Sequence, residues 1–366
     1  MSKKYLATGF MISCLCSLHS LHAGYSVISD LKRQIHDLQA QVDQLSQQTA
    51  LDQRGAELPS GQPSIEKDRG WKLELGAVYF KTKLGGTDFA YRDNHQVGSY
   101  PIDATILEVS FPMNLGYTFS VERLFQHDNF TLSLDYLYYG YKGSNNTSSR
   151  YGVTLIPLKG MTIIDEGVTN AKAQANVQYN DLGLTLHKSY FPTSSFVYEP
   201  YAGIKTSWIG LEQTSRYSGG PELALNTLEV RDHSRFFGIG IDIGNRGKWY
   251  FNKKLALSAF LDLALEYGSF DISYNEERLD RPEDQIALRQ QKHQFIPIID
   301  IGVDLSYGFY WDDKEGYALV SIGYESLFFL NQNQLLQVFN AYGSRMQNIG
   351  ADLSFHGLVG KVSYAF

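Results

Sequence analysis

The sequence predicts an all-β protein, a transmembrane up-and-down antiparallel β-barrel of about ten strands (roughly 8 to 12), with a short N-terminal coiled-coil helix. Three observations predict it. Apolar and polar residues alternate over long segments, the connections between these segments alternate between long and short, and the composition favours strands. The chain has 25 Tyr, 21 Phe and 33 Gly but only 10 Pro. Aromatic residues are enriched in strands, and glycine is common in turns.

The bulk composition narrows the classes of function. The 366 residues are 43% hydrophobic and 19% charged, with a net charge of -7 and a mean hydropathy of -0.25. After the first two dozen residues, no run of about 18 apolar residues occurs, which argues against a helical membrane protein. The acidic balance argues against nucleic acid as a partner.

Residues 1–23 have the features of a signal peptide. Lys3 and Lys4 form a positive start, residues 5–18 are apolar, and Ala23 offers a small residue at the cut. An uncleaved inner-membrane anchor is the alternative. Because both cysteines of the chain lie inside this segment, we expect the mature protein to have no disulfide and no cysteine metal site.

Residues 25–48 predict a periplasmic coiled-coil helix. Its apolar seam places β-branched residues at position a and leucine at position d of three heptads. The seam residues are Ile28, Leu31, Ile35, Leu38, Val42 and Leu45. Because three heptads are marginal alone, we expect the helix to promote a homo-oligomer or to tether the barrel; a single helix packed elsewhere is the alternative. The pattern prefers two strands whereas general outer-membrane pores are usually trimers, so the choice between dimer and trimer stays open. Residues 49–70 are polar with Gly and Pro, which predicts a linker.

The barrel is predicted over residues 71–366, where the hydrophobic period changes to two. In the clearest segment, 293–311, an apolar row that includes Phe295, Ile301 and Tyr307 opposes a row rich in aspartate and glycine. Alternation over this length matches the roughly 9 to 11 tilted residues that cross a bilayer. The segments predicted to be strands are 71–81, 107–119, 130–142, 171–187, 197–209, 233–245, 254–273, 293–311, 317–330 and 351–366.

The connections alternate regularly in length. Those expected to be long outer loops are 82–106, 143–170, 210–232, 274–292 and 331–350, and those expected to be short periplasmic turns are 120–129, 188–196, 246–253 and 312–316. This pattern, with an even strand count, places both termini in the periplasm. The apolar row changes phase near Asn180–Asp181 and again at His356–Gly357. A β-bulge at each site is the simplest explanation, and a different strand count is the alternative.

Several segments resemble a known family. They are GWKLELGAVYFKTKLGGTDFAY, VYEPYAGIKTSWIGLEQ, FFGIGIDIGNRGKWYFNKKLALSAFLDLALEYGSFDISY, FFLNQNQLL and the final GLVGKVSYAF. Over roughly residues 70 to 366 the chain is similar to the Legionella-type major outer membrane protein family of pore-forming proteins, which also occurs in chlamydia-like bacteria. The resemblance implies a barrel in the bacterial outer membrane with a porin-like role, and it carries no catalytic residues. Chlamydial members are rich in disulfide-forming cysteine, which the mature chain lacks, so a disulfide-crosslinked envelope role is not expected.

The rows opposite the apolar rows are expected to face the lumen. The candidate pore-lining residues are Lys72, Glu74, Asp135, Asp242, Asp262, Glu266, Asp300, Asp304 and Lys361. Acids outnumber bases among them, which mildly favours cations in a wet pore. In a narrow barrel, however, inward charges can pair across the lumen and fill it.

An enzyme is the less favoured class. Asp232–His233, and Asp93 with His95, fall in predicted outer regions and resemble the acidic and His residues of omptin proteases. Because no second acidic pair stands at a matching strand end, we expect no catalysis. No two histidines of the mature chain have i, i+4 metal-ligand spacing, and we expect no cofactor and no metal.

The sequence therefore predicts a diffusion pore for small hydrophilic solutes, with a non-conducting surface barrel for adhesion or envelope structure as the alternative. Its expected partners are the lipid bilayer and the barrel assembly machinery. Tyr364 and Phe366 end the chain on the apolar row, and a terminal aromatic there resembles the signal that this machinery recognises.

Overall fold

The computed structural model describes residues 70–93, 103–125, 130–149, 154–160, 167–193, 195–252, 254–278, 280–310, 317–339 and 345–366. The predicted signal peptide, the coiled-coil helix and all but the last residue of the linker lie outside the described residues. Their assignments, including the seam from Ile28 to Leu45, stay predictions.

The described part of the chain is almost entirely β-structure. In chain order its strands are β1 (Trp71–Leu84), β2 (Ala90–Asp93), β3 (Ala104–Leu107), β4 (Met113–Phe125), β5 (Phe130–Ser148), β6 (Thr154–Pro157), β7 (Asn170–Lys188), β8 (Tyr190–Thr193), β9 (Phe196–Ser218), β10 (Thr227–Tyr250), β11 (Leu255–Arg278), β12 (Arg281–Tyr310), β13 (Tyr317–Asn333), β14 (Leu336–Phe339), β15 (Arg345–Asn348) and β16 (Ala351–Ala365). A single helical turn, α1 (Gly220–Leu223), follows β9. No helix in these ranges is long and apolar enough to cross a membrane.

Ten of these strands close into an antiparallel barrel, which confirms the predicted barrel and its strand count. Their order around the wall is β1, β4, β5, β7, β9, β10, β11, β12, β13 and β16, and β16 pairs with β1 to close it. The closing register runs from Lys72 opposite Ala365 to Leu84 opposite Leu353. Closure pairs the edges of the sheet, which a lipid environment requires because it offers no water to an open edge.

The outer face carries an apolar belt. On β10 its exposed residues are Phe237, Ile239, Ile241 and Ile243. Past Phe237, toward the end opposite the chain termini, the outward row becomes polar and begins with Arg235. The strands therefore extend beyond the lipid on that side, which we call the loop end. The other side is the terminal end, which the sequence predicts to be periplasmic.

Two predicted outer loops are mostly strand. Residues 210–232 contain the end of β9 and the start of β10, whose pairing reaches Ser218 opposite Thr227. Residues 274–292 are similarly occupied by β11 and β12, which pair up to Arg278 opposite Arg281. In both segments the residues still alternate, but those on the outer face are polar. These segments therefore form the part of the barrel wall that lies beyond the lipid.

The predicted start of the second barrel strand is wrong. We expected a lipid-facing strand from residue 107, but β4 begins at Met113. Val109 and Phe111 are instead buried in the core inside the barrel. Pro112 lies just before β4, and proline offers no N–H to a strand ladder. Apolar alternation before it therefore reflects inward packing rather than contact with lipid.

The predicted β-bulges are absent from the described strands. Pairing of β7 with both neighbours is continuous through Asn180 and Asp181, and pairing of β16 with β1 is continuous through His356 and Gly357. On β7, the alternate residues Ala173, Ala175, Val177 and Tyr179 face inward and are buried. Leu184 and Leu186, in contrast, are exposed on the outside. The phase change therefore marks the level at which the lumen side itself becomes apolar.

The chain ends on the lipid-facing row at the barrel seam. The Phe366 ring is exposed and stacks on Tyr364, with 5.9 Å between the ring centroids. The backbone N–H of Phe366 donates to the Trp71 carbonyl at 3.0 Å, and the Trp71 N–H donates back at 3.2 Å. The closing strand thus carries an exposed aromatic pair beside the seam, and its role as an assembly signal stays a prediction.

Deleting Phe366 is expected to lower the amount of barrel in the outer membrane severalfold. The folded barrel would lose two backbone hydrogen bonds, worth about 1 kcal/mol each, and the stacking of the Phe366 ring on Tyr364. Outer-membrane fractionation measures the first effect, and the heat-modifiable gel mobility of refolded protein measures the second. Leu225→Ser, at an exposed apolar residue away from the seam, serves as the control. Normal membrane levels of the truncated chain would contradict the assembly role.

Candidate functional site

The structure places all nine candidate lumen residues on the inside of the barrel wall. Eight of them line two cavities of 60 and 150 Å³ that share Glu74, Arg246, Glu325 and Lys361 among their walls; we call the combined region the polar basin. The ninth, Glu266, is fully buried and accepts a hydrogen bond of 2.8 Å from the Ser207 hydroxyl. Their role in permeation stays a prediction.

Acidic groups dominate the polar basin. Its nine carboxyl groups are Glu74, Glu122, Asp135, Asp181, Asp242, Asp262, Asp300, Asp304 and Glu325, and its five cationic groups are Lys72, Lys205, Arg246, Lys248 and Lys361. The candidate list from the sequence does not include six of these residues, which are Glu122, Asp181, Lys205, Arg246, Lys248 and Glu325. Arg246 stood in a predicted turn, and Asp181 stood at a predicted bulge. Glu325 could have been found, since it alternates with the outward Tyr324 on β13.

Some of these charges pair with one another along the wall. Near the terminal end, Lys72 lies 3.1 Å from Glu122, and Lys361 lies 3.4 Å from Glu74. Deeper in the barrel, Lys205 lies 3.3 Å from Asp181 and 3.5 Å from Asp262. The basin is therefore a partly paired charged lining that retains an excess of acid.

An aromatic layer crosses the lumen above the polar basin. Its five fully buried rings come from β1, β5, β7, β13 and β16, and they are Phe80, Tyr139, Tyr179, Phe329 and Phe355. The Phe355 ring lies 5.1 Å from Tyr139, 5.4 Å from Tyr179 and 6.2 Å from Phe329, measured between centroids. Aromatic pairs at these separations are mutually stabilising. The layer is thus a packed apolar barrier between the two halves of the interior.

The opposite wall contributes a second aromatic pair to this apolar core. The Phe236 and Phe270 rings, on β10 and β11, lie 4.7 Å apart. Gly238 and Gly268 leave the space that the Phe236 ring fills, because a Cβ at either position would lie 2.4 Å from a ring atom. Glycine at these positions therefore serves the close packing of the core.

A cap closes the loop end. We define it as residues 85–93, 103–112 and 154–160, which contain the small sheet of β2, β3 and β6. The cap buries Phe89, Ala90 and Leu155 against the inner wall. The Tyr217 hydroxyl on β9 donates to the Phe89 carbonyl, and the Gln213 amide donates to the Thr87 carbonyl at 3.2 Å. Most of the cap comes from the predicted outer loops 82–106 and 143–170, and such long loops can fold inward and narrow the lumen.

One ion pair ties the cap to the wall. The Lys159 ammonium donates to the Asp232 carboxylate, and both side chains are almost completely buried. Burial raises the pKa of Asp232 above its ordinary value, and the adjacent Lys159 only partly opposes this shift. Each partner thus compensates the charge of the other. Removing either one would leave a buried charge unpaired, which strongly destabilises a fold.

Asp232 and His233, the adjacent pair noted in the sequence, point to opposite faces of β10. Asp232 faces inward toward Lys159, whereas His233 follows it on the outward face of β10. Burial lowers the pKa of His233. Since consecutive strand residues point to opposite faces, these two side chains do not form a catalytic pair with each other. His95 lies outside the described residues. Within the described ranges, no three His, Cys, Asp or Glu side chains are arranged to hold a metal ion.

A closed antiparallel barrel with a lipid-facing belt and a charged inner basin is the architecture of an outer-membrane β-barrel protein. Residues 63–366 match the family model described as Legionella pneumophila major outer membrane protein precursor. The chain therefore belongs to this family, which confirms the resemblance and places the protein in the bacterial outer membrane.

Solved structures match this chain at low similarity. The outer membrane protease OmpT from Escherichia coli is 11% identical, with a TM-score of 0.43, covering 81% of this chain and 97% of its own. The toluene transporter TodX of Pseudomonas putida is 11% identical, with a TM-score of 0.29, covering 81% and 89%. A FadL homologue of Pseudomonas aeruginosa is 10% identical, with a TM-score of 0.26, covering 85% and 95%. A comparison with curated proteins gives no match.

Proposed function

We propose that the protein is a gated diffusion pore for small hydrophilic solutes, with a weak preference for cations. The observation that carries this proposal is the acid-rich polar basin inside a transmembrane wall. Nine carboxyl groups against five cationic groups give a lining that favours positive solutes, because a ring of carboxylates selects for cations. Asp135 is exposed within this lining, which supports access of solutes from the terminal end.

The proposed pore has to open at two levels. The aromatic layer separates the polar basin from the apolar half of the interior, and the cap covers the loop end. Both barriers consist of side chains and short segments rather than of the ten-stranded wall. Conduction therefore requires their rearrangement while the barrel stays closed to lipid.

The same two barriers favour a second candidate, a non-conducting surface barrel with an adhesive or structural role. A packed aromatic layer and a cap fixed by a buried ion pair are what a barrel without a pore would also contain. Oligomerisation or tethering through the predicted N-terminal coiled coil is compatible with either function, and we include a homo-oligomer in the proposal.

Single-channel recording in planar bilayers tests the proposal. The purified full chain is expected to give infrequent stepwise openings, since the layer and the cap oppose conduction. In a KCl gradient, the reversal potential is expected to have the sign of cation preference. A correctly folded barrel, verified by its heat-modifiable gel mobility, that stays silent would favour the non-conducting surface barrel instead.

A further inference from the structure

Five carboxyl groups of the polar basin form an arc around a single lysine. The acidic arc consists of Asp181, Asp242, Asp262, Asp300 and Glu325, on β7, β10, β11, β12 and β13. Lys205 comes from β9, which lies between β7 and β10 in the wall. Six adjacent strands therefore bring five acids and one base to one side of the lumen.

Lys205 does not neutralise the acidic arc. Its ammonium contacts Asp181 and Asp262, at 3.3 and 3.5 Å. Four of the aspartates, Asp181, Asp242, Asp262 and Asp300, each keep a buried Oδ1 atom without a hydrogen-bond partner. Asp242 and Asp262 are the most enclosed of these, at 4% and 7% exposure. Buried carboxylate oxygens without donors are costly to desolvate.

The carboxyl groups also face one another. Asp242 is a diagonal cross-strand neighbour of Asp262, and Asp300 is a diagonal neighbour of Glu325. Asp262 and Asp300 are direct cross-strand partners, a placement that destabilises a sheet when both residues are charged alike. A local arrangement that costs stability without a compensating protein group is typical of a functional site.

Two further buried groups with unpartnered oxygens lie next to the arc. Tyr179 and Glu266 are fully buried, and the Tyr179 hydroxyl and Glu266 Oε2 each lack a hydrogen-bond partner. They border the arc on its loop side rather than line its cavity. The buried oxygens that a bound positive group would satisfy are therefore those of the four aspartates.

We propose that the acidic arc binds a small hydrated monovalent cation such as K⁺. Carboxylate, hydroxyl and water oxygens are the ligands that hard cations prefer. Because no three side chains in the described ranges are arranged to hold a metal ion directly, the ion retains much of its water. Gly183, opposite Lys205 on β7, has open space where a Cβ would stand, which leaves room for that water. The inference deepens the proposed pore by placing its cation preference at this arc.

Thermal unfolding of the purified full chain in detergent tests the binding without any conductance. At equal ionic strength, the unfolding temperature in KCl is expected to exceed that in choline chloride by about 2 °C or more, because an ion that binds only the folded state stabilises it. Choline serves as a cation too large for the same oxygens. In the variant Asp242→Asn with Asp262→Asn, the difference between the two salts is expected to disappear.

The double variant removes like charges and keeps the side-chain volumes, so it is expected to fold. Asp271→Asn, on the outward face of β11, is the matched control and should retain the wild-type difference. Equal unfolding temperatures of the wild type in both salts would overturn the proposal in favour of protons shared between the carboxyl groups. A difference that persists in the double variant would overturn it by placing the ion elsewhere. A silent bilayer recording beside a clear KCl effect would reject the pore and keep the cation site.

Discussion

The variant Phe355→Ala is expected to open the barrel more often in planar bilayers and to lower its stability by about 3–5 kcal/mol. Phe355 contacts three other rings of the aromatic layer and is fully buried. Removing its ring takes away the central contact of the barrier, so the remaining rings lose packing partners. Single-channel open probability measures the first effect, and thermal unfolding in detergent measures the second.

Two controls separate gating from general weakening. Leu358→Ala removes an exposed, lipid-facing side chain from the same strand. We expect it to change neither the open probability nor the packing of the core. Phe355→Leu keeps most of the volume and should give an intermediate result. Unchanged open probability in a folded Phe355→Ala barrel would show that the aromatic layer does not limit conduction.

Single replacements at the buried ion pair of the cap, Lys159→Met or Asp232→Asn, are expected to destabilise the folded cap by about 3–5 kcal/mol each. Each leaves a buried group without its partner, whereas the double variant Lys159→Met with Asp232→Leu should lose much less. Limited proteolysis of residues 154–160 reports the opening of the cap. Glu229→Gln is the control, because it breaks only exposed contacts with Arg216 and Arg231, worth less than about 1 kcal/mol.

The cost of Lys159→Met is expected to grow with pH. Burial already holds the pKa of Asp232 above its ordinary value, and removing the lysine raises the pKa further. A carboxyl group whose pKa is higher in the folded state than the unfolded value of about 3.9 stabilises that state below the unfolded pKa. This stability is lost as the pH rises through the folded pKa. If the cap of the Lys159→Met variant were equally protected from proteolysis at pH 4 and pH 7, the assignment of Asp232 as the buried partner would be contradicted.

Long alternating segments made the wall predictable from the sequence. The segment that ends at Trp311 contains a lipid-facing row whose members, such as Ile301 and Val303, are exposed on the outer face of β12. Lipid contact imposes an apolar residue at every second position, which is a local and repeated constraint. The ten strands and the inward orientation of residues such as Asp262 follow from that constraint.

The interior was less predictable because several environments share the same alternation. Val109 and Phe111 alternate like lipid-facing residues but pack inside the barrel. The apolar row from Ala173 to Tyr179 is out of phase with the later leucines, which suggested a bulge. The strand is nevertheless continuous, and its lumen side is apolar at that level. A one-dimensional pattern gives the spacing of apolar residues and does not distinguish lipid from a packed core.

The sequence by itself determined the class of this protein, a closed outer-membrane barrel. Each strand that contacts the bilayer needs an apolar residue at every second position, and this alternation is visible in the sequence. Only the tertiary structure decided what fills the barrel. The aromatic layer and the pairing of Lys159 with Asp232 join residues that lie far apart in the chain. The acidic arc similarly depends on six strands whose side chains meet only when the sheet closes. Such contacts depend on distances across the lumen, which no local spacing records.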